Sequence, residues 1–239
     1  MRIAVVALAA LALAGCESTQ SKSAKLEAAA QKAKHEKGLV VSQESTEVKV
    51  EGTTILQDDN GAATVVELRN ESRGSLVNLP LSVQVLDQGS KALYANDAPG
   101  LDTSLVSVAS LGAGGEIAWV NDQVTLAGQG GSVVAKVGAG AKPGPSELPR
   151  MEVTNLKPET DASGEGAIVG DVANRSSVEQ RRLVVYVIAR KDDKVVAAGR
   201  AIVEKLAPGK SAHFSAFPIG DPAGAELSAS APPTVVRTP

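Results

Sequence analysis

Polar and apolar residues alternate along this chain in short runs that Gly, Pro and Asn cut apart, and that pattern leaves few folds open. Glu47-Val48-Lys49-Val50-Glu51, Leu81-Ser82-Val83-Gln84-Val85 and, more loosely, Ser104-Leu105-Val106-Ser107-Val108 repeat with a period of two. Such a period places every second side chain on one face of an extended backbone, which predicts half-buried strands. Valine is frequent and aromatic residues make up 2% of the chain, so the strand faces must be built largely from β-branched side chains. Asp58-Asp59-Asn60-Gly61 separates Thr54-Ile55-Leu56 from Ala62-Ala63-Thr64-Val65-Val66. Both residues of Asn-Gly accept positive φ, which predicts a hairpin there. Lys142-Pro143-Gly144-Pro145-Ser146-Glu147-Leu148-Pro149 holds three prolines in eight residues, so residues 141–149 are predicted to form a stiff linker.

The segments on either side of that linker repeat one another. Ala63-Thr64-Val65-Val66-Glu67-Leu68-Arg69-Asn70-Glu71-Ser72 lies over Ala167-Ile168-Val169-Gly170-Asp171-Val172-Ala173-Asn174-Arg175-Ser176. Leu81, Val83 and Val85 then fall on Leu183, Val185 and Val187, and Leu111-Gly112-Ala113-Gly114 falls on Leu206-Ala207-Pro208-Gly209. Five residues further on, each copy carries an aromatic residue, Trp119 or Phe214. A strand, an Asn-x-Ser turn, an alternating strand, a charged turn, another strand, then Leu-x-x-Gly and an aromatic-bearing strand is the order of a small Ig-like sandwich. The expected fold is therefore all-β: two tandem Ig-like antiparallel β-sandwiches at residues 38–140 and 150–232, with a C-terminal tail at 233–239. Trp119 and Phe214 are expected to plug the two cores, in preference to forming a ligand-stacking platform.

The second copy resembles a known family through Val169 to Ser176, Val185-Tyr186-Val187, Lys191 to Val196 and Leu206 to Phe214. It is similar to the FxLYD-type sandwich domain of bacterial envelope proteins, which shows V-x-G-x-V-x-N-x-S, a strand, a charged hairpin and an L-x-P-G-x-x-x-x-F ending. Ile188-Ala189-Arg190 stands near the place of the family's Leu-Tyr-Asp. The resemblance covers the second copy and, more faintly, the first. It implies surface display and interaction, with no catalytic residues to carry over.

At the amino terminus Arg2 precedes an apolar run from Ile3 to Ala14, which ends in Leu13-Ala14-Gly15 and the chain's one cysteine, Cys16. A membrane span needs about 20 apolar residues, so this run is too short to be the anchor itself. Leu13-Ala14-Gly15-Cys16 resembles the lipobox of bacterial lipoproteins, a Leu, two small residues and an obligatory Cys. The resemblance implies a signal peptide at residues 1–15, cleavage before Cys16, a diacylated thiol and often an acylated new amine. At about 0.8 kcal/mol per buried methylene, one acyl chain holds marginally and two or three hold durably. Residues 16–37 are polar and Ala-rich, with Ser23 a fitting N-cap and Gly38 a fitting stop, which predicts a helical tether. The 14 residues from Ala24 to Lys37 would reach about 21 Å as a helix. Without Leu or Ile at repeating a and d positions, a solvated spacer is expected rather than a coiled coil.

Few residues are available for chemistry. Histidines stand only at 35 and 213, and with Cys16 acylated no thiol remains, so neither a His- or Cys-based metal site nor a common hydrolase triad can be assembled. Pro208-Gly209-Lys210-Ser211 lacks the upstream Gly of a phosphate-binding loop, because Glu204 stands there. An EF-hand starting at Asp58 would need its closing Glu where Arg69 stands, so Asp58-Asp59-Asn60-Gly61 and Asp192-Asp193 are read as hairpin turns. Asn70 and Asn174 head Asn-x-Ser tripeptides and are read as turn residues whose amides bridge the backbone two residues on. Arg181-Arg182, near Arg175, is the most concentrated positive spot, read as a solvated loop or as a contact for an anionic wall polymer or headgroup. A net charge of −3 with both signs mixed gives no basic field for nucleic acid.

Together these features predict an envelope lipoprotein held at the cell membrane through lipid on Cys16 and facing the extracytoplasmic side. It is expected to be a noncatalytic binding or structural module, without cofactor or metal, whose partner is an envelope protein or wall polymer. Two alternatives stay open: an accessory or ligand-delivering subunit of a transporter or secretion system, and an enzyme with an unrecognised site.

Overall fold

The computed structural model describes residues 38–160 and 166–236, so the expected signal peptide with Leu13, Ala14 and Gly15, the lipidation site Cys16 and the tether lie outside the described residues. Among the described residues the alternating runs form strands, and the one helical element is a 3-10 turn at Thr103–Leu105. The first half contains β1 (Val48–Asp58), β2 (Gly61–Asn70), β3 (Leu76–Leu86), β4 (Ala92–Ala95), β5 (Ser107–Leu111), β6 (Glu116–Val124), β7 (Ser132–Val137) and β8 (Lys142–Pro143). The second contains β9 (Met151–Thr160), β10 (Gly166–Asn174), β11 (Gln180–Lys191), β12 (Lys194–Leu206), β13 (Ser211–Ala216), β14 (Ile219–Gly220) and β15 (Glu226–Ser230).

These strands make four antiparallel sheets. In the first half β1-β2-β6 accompanies β4-β3-β5, with β7 and β8 also paired to β3; in the second β9-β10-β13 accompanies β14-β12-β11-β15. The β1–β2 hairpin closes where expected, but its two loop residues are Asp59-Asn60, with Asp58 opposite Gly61; of Asn60-Gly61 only Gly61 has positive φ, at 142°, and the Asp58 carboxylate accepts from the Asn60 N–H at 2.8 Å. Lys142 and Pro143, within the segment read as a linker, pair with Val77 and Leu76. Pro is tolerated there because β8 is a short edge strand.

The two halves share a set of matching contacts. Trp119 lies opposite Val66, and Phe214 lies opposite Gly170. Gly170 is needed at that place, since a Cβ there would meet the Phe214 ring at 2.9 Å. The Asn70 amide donates to the carbonyls of Gly74 at 2.8 Å and Leu111 at 3.3 Å, while its oxygen accepts from the Ser72 N–H at 3.0 Å. Asn174 makes the same set with Val178, Leu206 and Ser176. Gly114 and Gly209, at φ 63° and 68°, occupy the positive-φ position of the matching turns.

One register differs from the sequence expectation. Leu79 pairs with Val108 as Leu183 pairs with Val203, and the preceding residues, Asn78 and Arg182, share positive φ of 55° and 47°. Leu79, not Leu81, is therefore the counterpart of Leu183. A slip of two residues leaves every side chain on its own face, so alternation alone cannot detect it. The halves also differ in length at one place: twelve residues separate Ala95 from Val108, whereas four separate their counterparts Ala198 and Val203. The first half thus carries an eight-residue insertion.

Core packing explains why the halves are not independent. Leu183, Val185 and Val187 of β11 join Ile168, Val172 and Phe214 in the core of the second half. The intervening Val184, Tyr186 and Ile188 join Leu68, Leu79, Leu81 and Trp119 in the core of the first. A strand covered on both faces requires an unbroken apolar run, and Leu183-Val184-Val185-Tyr186-Val187-Ile188-Ala189 supplies it. From Gly38 onward the chain is one compact unit.

Candidate functional site

The junction between the halves concentrates the buried charge. Arg200 on β12 has a side chain only 4% exposed, and a guanidinium so enclosed requires a partner. It finds Asp122, whose carboxylate accepts from Arg200 Nε at 2.8 Å and from the Arg200 backbone N–H at 2.9 Å. Asp122 and Gln123 together occupy the place of one residue opposite Ala63, a bulge that locally re-aims β6.

From Arg200 a chain of polar contacts crosses between the halves. Arg200 Nη1 donates to Ser104 Oγ at 2.7 Å, and Ser104 Oγ donates to Asp102 Oδ1 at 2.5 Å. Asp102 Oδ2 accepts from Arg182 Nη2 at 2.7 Å, and Arg182 Nη1 donates to Glu204 at 3.2 Å. Charges alternate in sign along the whole path. Asp102 and Ser104 come from the eight-residue insertion, where Asp102 caps the 3-10 turn by accepting from the Ser104 N–H. Trp119 Nε1 donates to the Ser104 carbonyl at 3.0 Å, which ties the insertion to the first core. The Ser104 hydroxyl, helped by the Ser104 N–H and Arg182, holds the Asp102 carboxyl below its ordinary pKa against the opposing effect of burial. Burial pushes the Tyr186 phenol far above its ordinary value, with Arg200 opposing. Two further contacts bridge the halves: Arg190 pairs with Glu67, and the Gly220 N–H donates to Asp58 at 2.8 Å.

Beside this network opens a cleft of about 210 Å³, floored by Val184, Tyr186 and Ile202 and rimmed by Asn78, Asp102, Ser107 and Arg182. On the other side of Tyr186 lies a groove of about 330 Å³ bordered by Glu67, Glu116 and Arg190. The cleft combines an apolar floor with hydrogen-bonding groups on its rim, the general make-up of a small-molecule site.

Trp119 is fully buried in the first core and Phe214 is 4% exposed in the second. Arg175, Arg181 and Arg182 do not form a free positive patch, because Glu152, Glu179 and the Asp102–Glu204 pair meet them. Arg181 and Arg182 lie in strand β11 rather than in a loop. Asn70 and Asn174 are fully buried. His213 is exposed, 3.2 Å from Asp171. Among the described residues no group of His, Cys, Asp or Glu is arranged to hold a metal ion, and no helix is long and apolar enough to cross a membrane. Sequence reasoning missed Asp102, Ser104, Asp122 and Arg200. The signal for them was a lone arginine within the otherwise apolar Ala197-Ala198-Gly199-Arg200-Ala201-Ile202, beside a seven-residue apolar strand.

No family model matches the chain, and no curated protein matches it. Among solved structures it is similar to an exo-chitosanase CsxA of Amycolatopsis orientalis in complex with PNP-beta-D-glucosamine, at 14% identity and a TM-score of 0.27 over 76% of this chain and 25% of that one. A structure of the exo-beta-D-glucosaminidase CsxA, on its inhibition by a glucosamine-configured castanospermine and an amino-australine analogue, gives 13% identity and a TM-score of 0.27 over 78% of this chain and 26% of that one. The chain thus spans about a quarter of the length of the proteins it is similar to.

Proposed function

We propose that this chain is a lipid-anchored envelope protein whose two Ig-like, FxLYD-type sandwiches act together as one noncatalytic binding or structural module. The observation that carries the reading is the junction, where β11 is buried on both faces and the Asp122–Arg200 pair is enclosed between the halves. The polar side chains of this junction are spent on joining one half to the other: the Ser104 hydroxyl and the Asp102 carboxylate bond to each other and to Arg200 and Arg182. On this reading Cys16 is acylated after cleavage behind Gly15, and residues 16–37 are the tether. The sandwiches occupy residues 38–140 and 150–232, with 141–149 between them and 233–239 as the tail. The module faces the extracytoplasmic side of the membrane and meets an envelope protein or wall polymer.

Anchoring is tested by Cys16→Ser, which should leave an uncleaved precursor and abolish labelling by a clickable palmitate analogue. Normal maturation and labelling of that variant would overturn it. The noncatalytic reading is tested by offering purified protein cell-wall and ester substrates; turnover above a heat-inactivated control would sink it.

A further inference from the structure

We propose that the cleft between Tyr186 and the Asn78–Ser107 rim binds one uncharged sugar ring of a glycan. This inference rests on the binding-module reading and names the class of ligand that module takes. The size fits a small occupant: with about 30 Å³ for each water, a space of about 210 Å³ holds roughly seven waters, on the scale of one pyranose.

The rim charges are paired with one another. Arg182 is bonded to Asp102 and Glu204, and neighbouring Arg181 to Glu179, so an anion must compete with carboxylates already in place. A cation meets no unspent carboxylate, since Asp102 is engaged by Arg182 and Ser104. The Tyr186 phenol is kept neutral by burial. What remains is neutral hydrogen bonding. Among the described residues the Asn78 side-chain amide makes no hydrogen bond, and Ser107 Oγ donates to the Thr103 carbonyl at 2.8 Å while keeping its lone pairs. A pyranose offers one apolar face of C–H groups and an edge of hydroxyls. Ile202, 37% exposed above the buried Val184 and Tyr186, matches the face, and Asn78 and Ser107 match the edge.

The cleft is preorganised by the docking of the halves. Asn78 and Arg182 are the corresponding residues of the repeat, both held at positive φ, and both line this one space. Neither half alone contains it. Fixed donors and acceptors lower the ordering cost of binding, which favours a weak-bonding ligand such as a neutral sugar.

The chain's one tryptophan supplies a reporter, because Trp119 Nε1 is bonded to the carbonyl of Ser104, a residue of the cleft wall. The test titrates the mature lipoprotein in detergent micelles with triacetylchitotriose and with maltotriose as neutral probes, and with poly(glycerol phosphate) as an anionic one. Trp119 emission and saturation-transfer NMR on the probe protons are the readouts. The expected result is saturable binding of at least one neutral probe, weakened at least tenfold by Asn78→Gly and by Ile202→Glu. Asn78→Gly keeps the positive φ while removing the amide, and an unchanged unfolding midpoint certifies each variant as folded. No saturable signal from either neutral probe overturns the inference, as does binding that both folded variants retain. Binding of the anionic probe alone overturns the sugar class while leaving the binding module standing, so the two failures are distinguishable.

Discussion

Asp122→Ala removes the carboxylate that meets Arg200 while leaving the guanidinium in place. Arg200 then keeps one side-chain partner, Ser104 Oγ, in an environment where its side chain is only 4% exposed. Stripping one partner from a buried pair costs about 3–5 kcal/mol, because the remaining charge stays desolvated. A change of 1 kcal/mol moves the midpoint of a unit of this size by roughly 2–4 °C, so a fall of roughly 6–20 °C is expected. Combining Asp122→Ala with Arg200→Met removes both charges, and most of the loss should be recovered, since apolar replacement of a buried pair is close to neutral. Urea unfolding followed both by Trp119 emission and by far-ultraviolet circular dichroism reads the result. Trp119 reports on the first half and dichroism on both, so coincident transitions in the parent should separate in Asp122→Ala as the halves uncouple. A loss below about 1 kcal/mol, the size of an exposed pair, with transitions still coincident, would refute the reasoning.

Asn70→Ala and Asn174→Ala each leave buried carbonyls and a turn N–H without their partner, so each should cost about 1–3 kcal/mol in urea unfolding. Losses of similar size are expected because three bonds of each set correspond, with one more at each site, from Asn70 to the Gly112 carbonyl and from Ser176 Oγ to Asn174, and a silent substitution at either site would contradict that correspondence. Asp102 has a folded pKa below its unfolded one, so its contribution to stability is present above the unfolded value near 3.8 and is lost as pH falls through the folded value. Asp102→Asn should therefore flatten the acid limb of the stability profile below about pH 4, measured as urea midpoints from pH 2 to 7. Gly170→Val sets a side chain against the Phe214 ring and should cost about 1–3 kcal/mol by overpacking, readable as a lowered thermal midpoint. Phe214→Ala should cost more, about 3–5 kcal/mol, by opening a cavity.

The β class and the place of the β1–β2 hairpin were legible because each rests on a local pattern of a few residues. The repeat was legible for the same reason: Asn70 with Asn174 and the Leu-x-x-Gly turns are compact signatures. The register of β3 against β11 was not, since faces repeat every two residues and the deciding feature, positive φ at Asn78 and Arg182, is signalled by residue type only at the Asn. The junction was hidden for another reason. Asp122 and Arg200 stand 78 residues apart, and no local pattern pairs them. Taking Leu183, Val185 and Val187 as one face of an alternating strand passes over the unbroken apolar run Leu183 to Ala189, which marks a strand with no solvent face.

That same strand carries a hazard. Leu183-Val184-Val185-Tyr186-Val187-Ile188-Ala189 is seven residues of high β propensity without charge or proline, the composition of a segment prone to stack into cross-β aggregates once uncovered. Arg181-Arg182 before it and Arg190-Lys191 after it stand where gatekeeping charges are placed in natural sequences. The ion pairs made by Arg182 and Arg190 then have a second consequence. When the halves are closed these arginines help to fasten the seam, and when the halves part the same residues are the charges that oppose self-association.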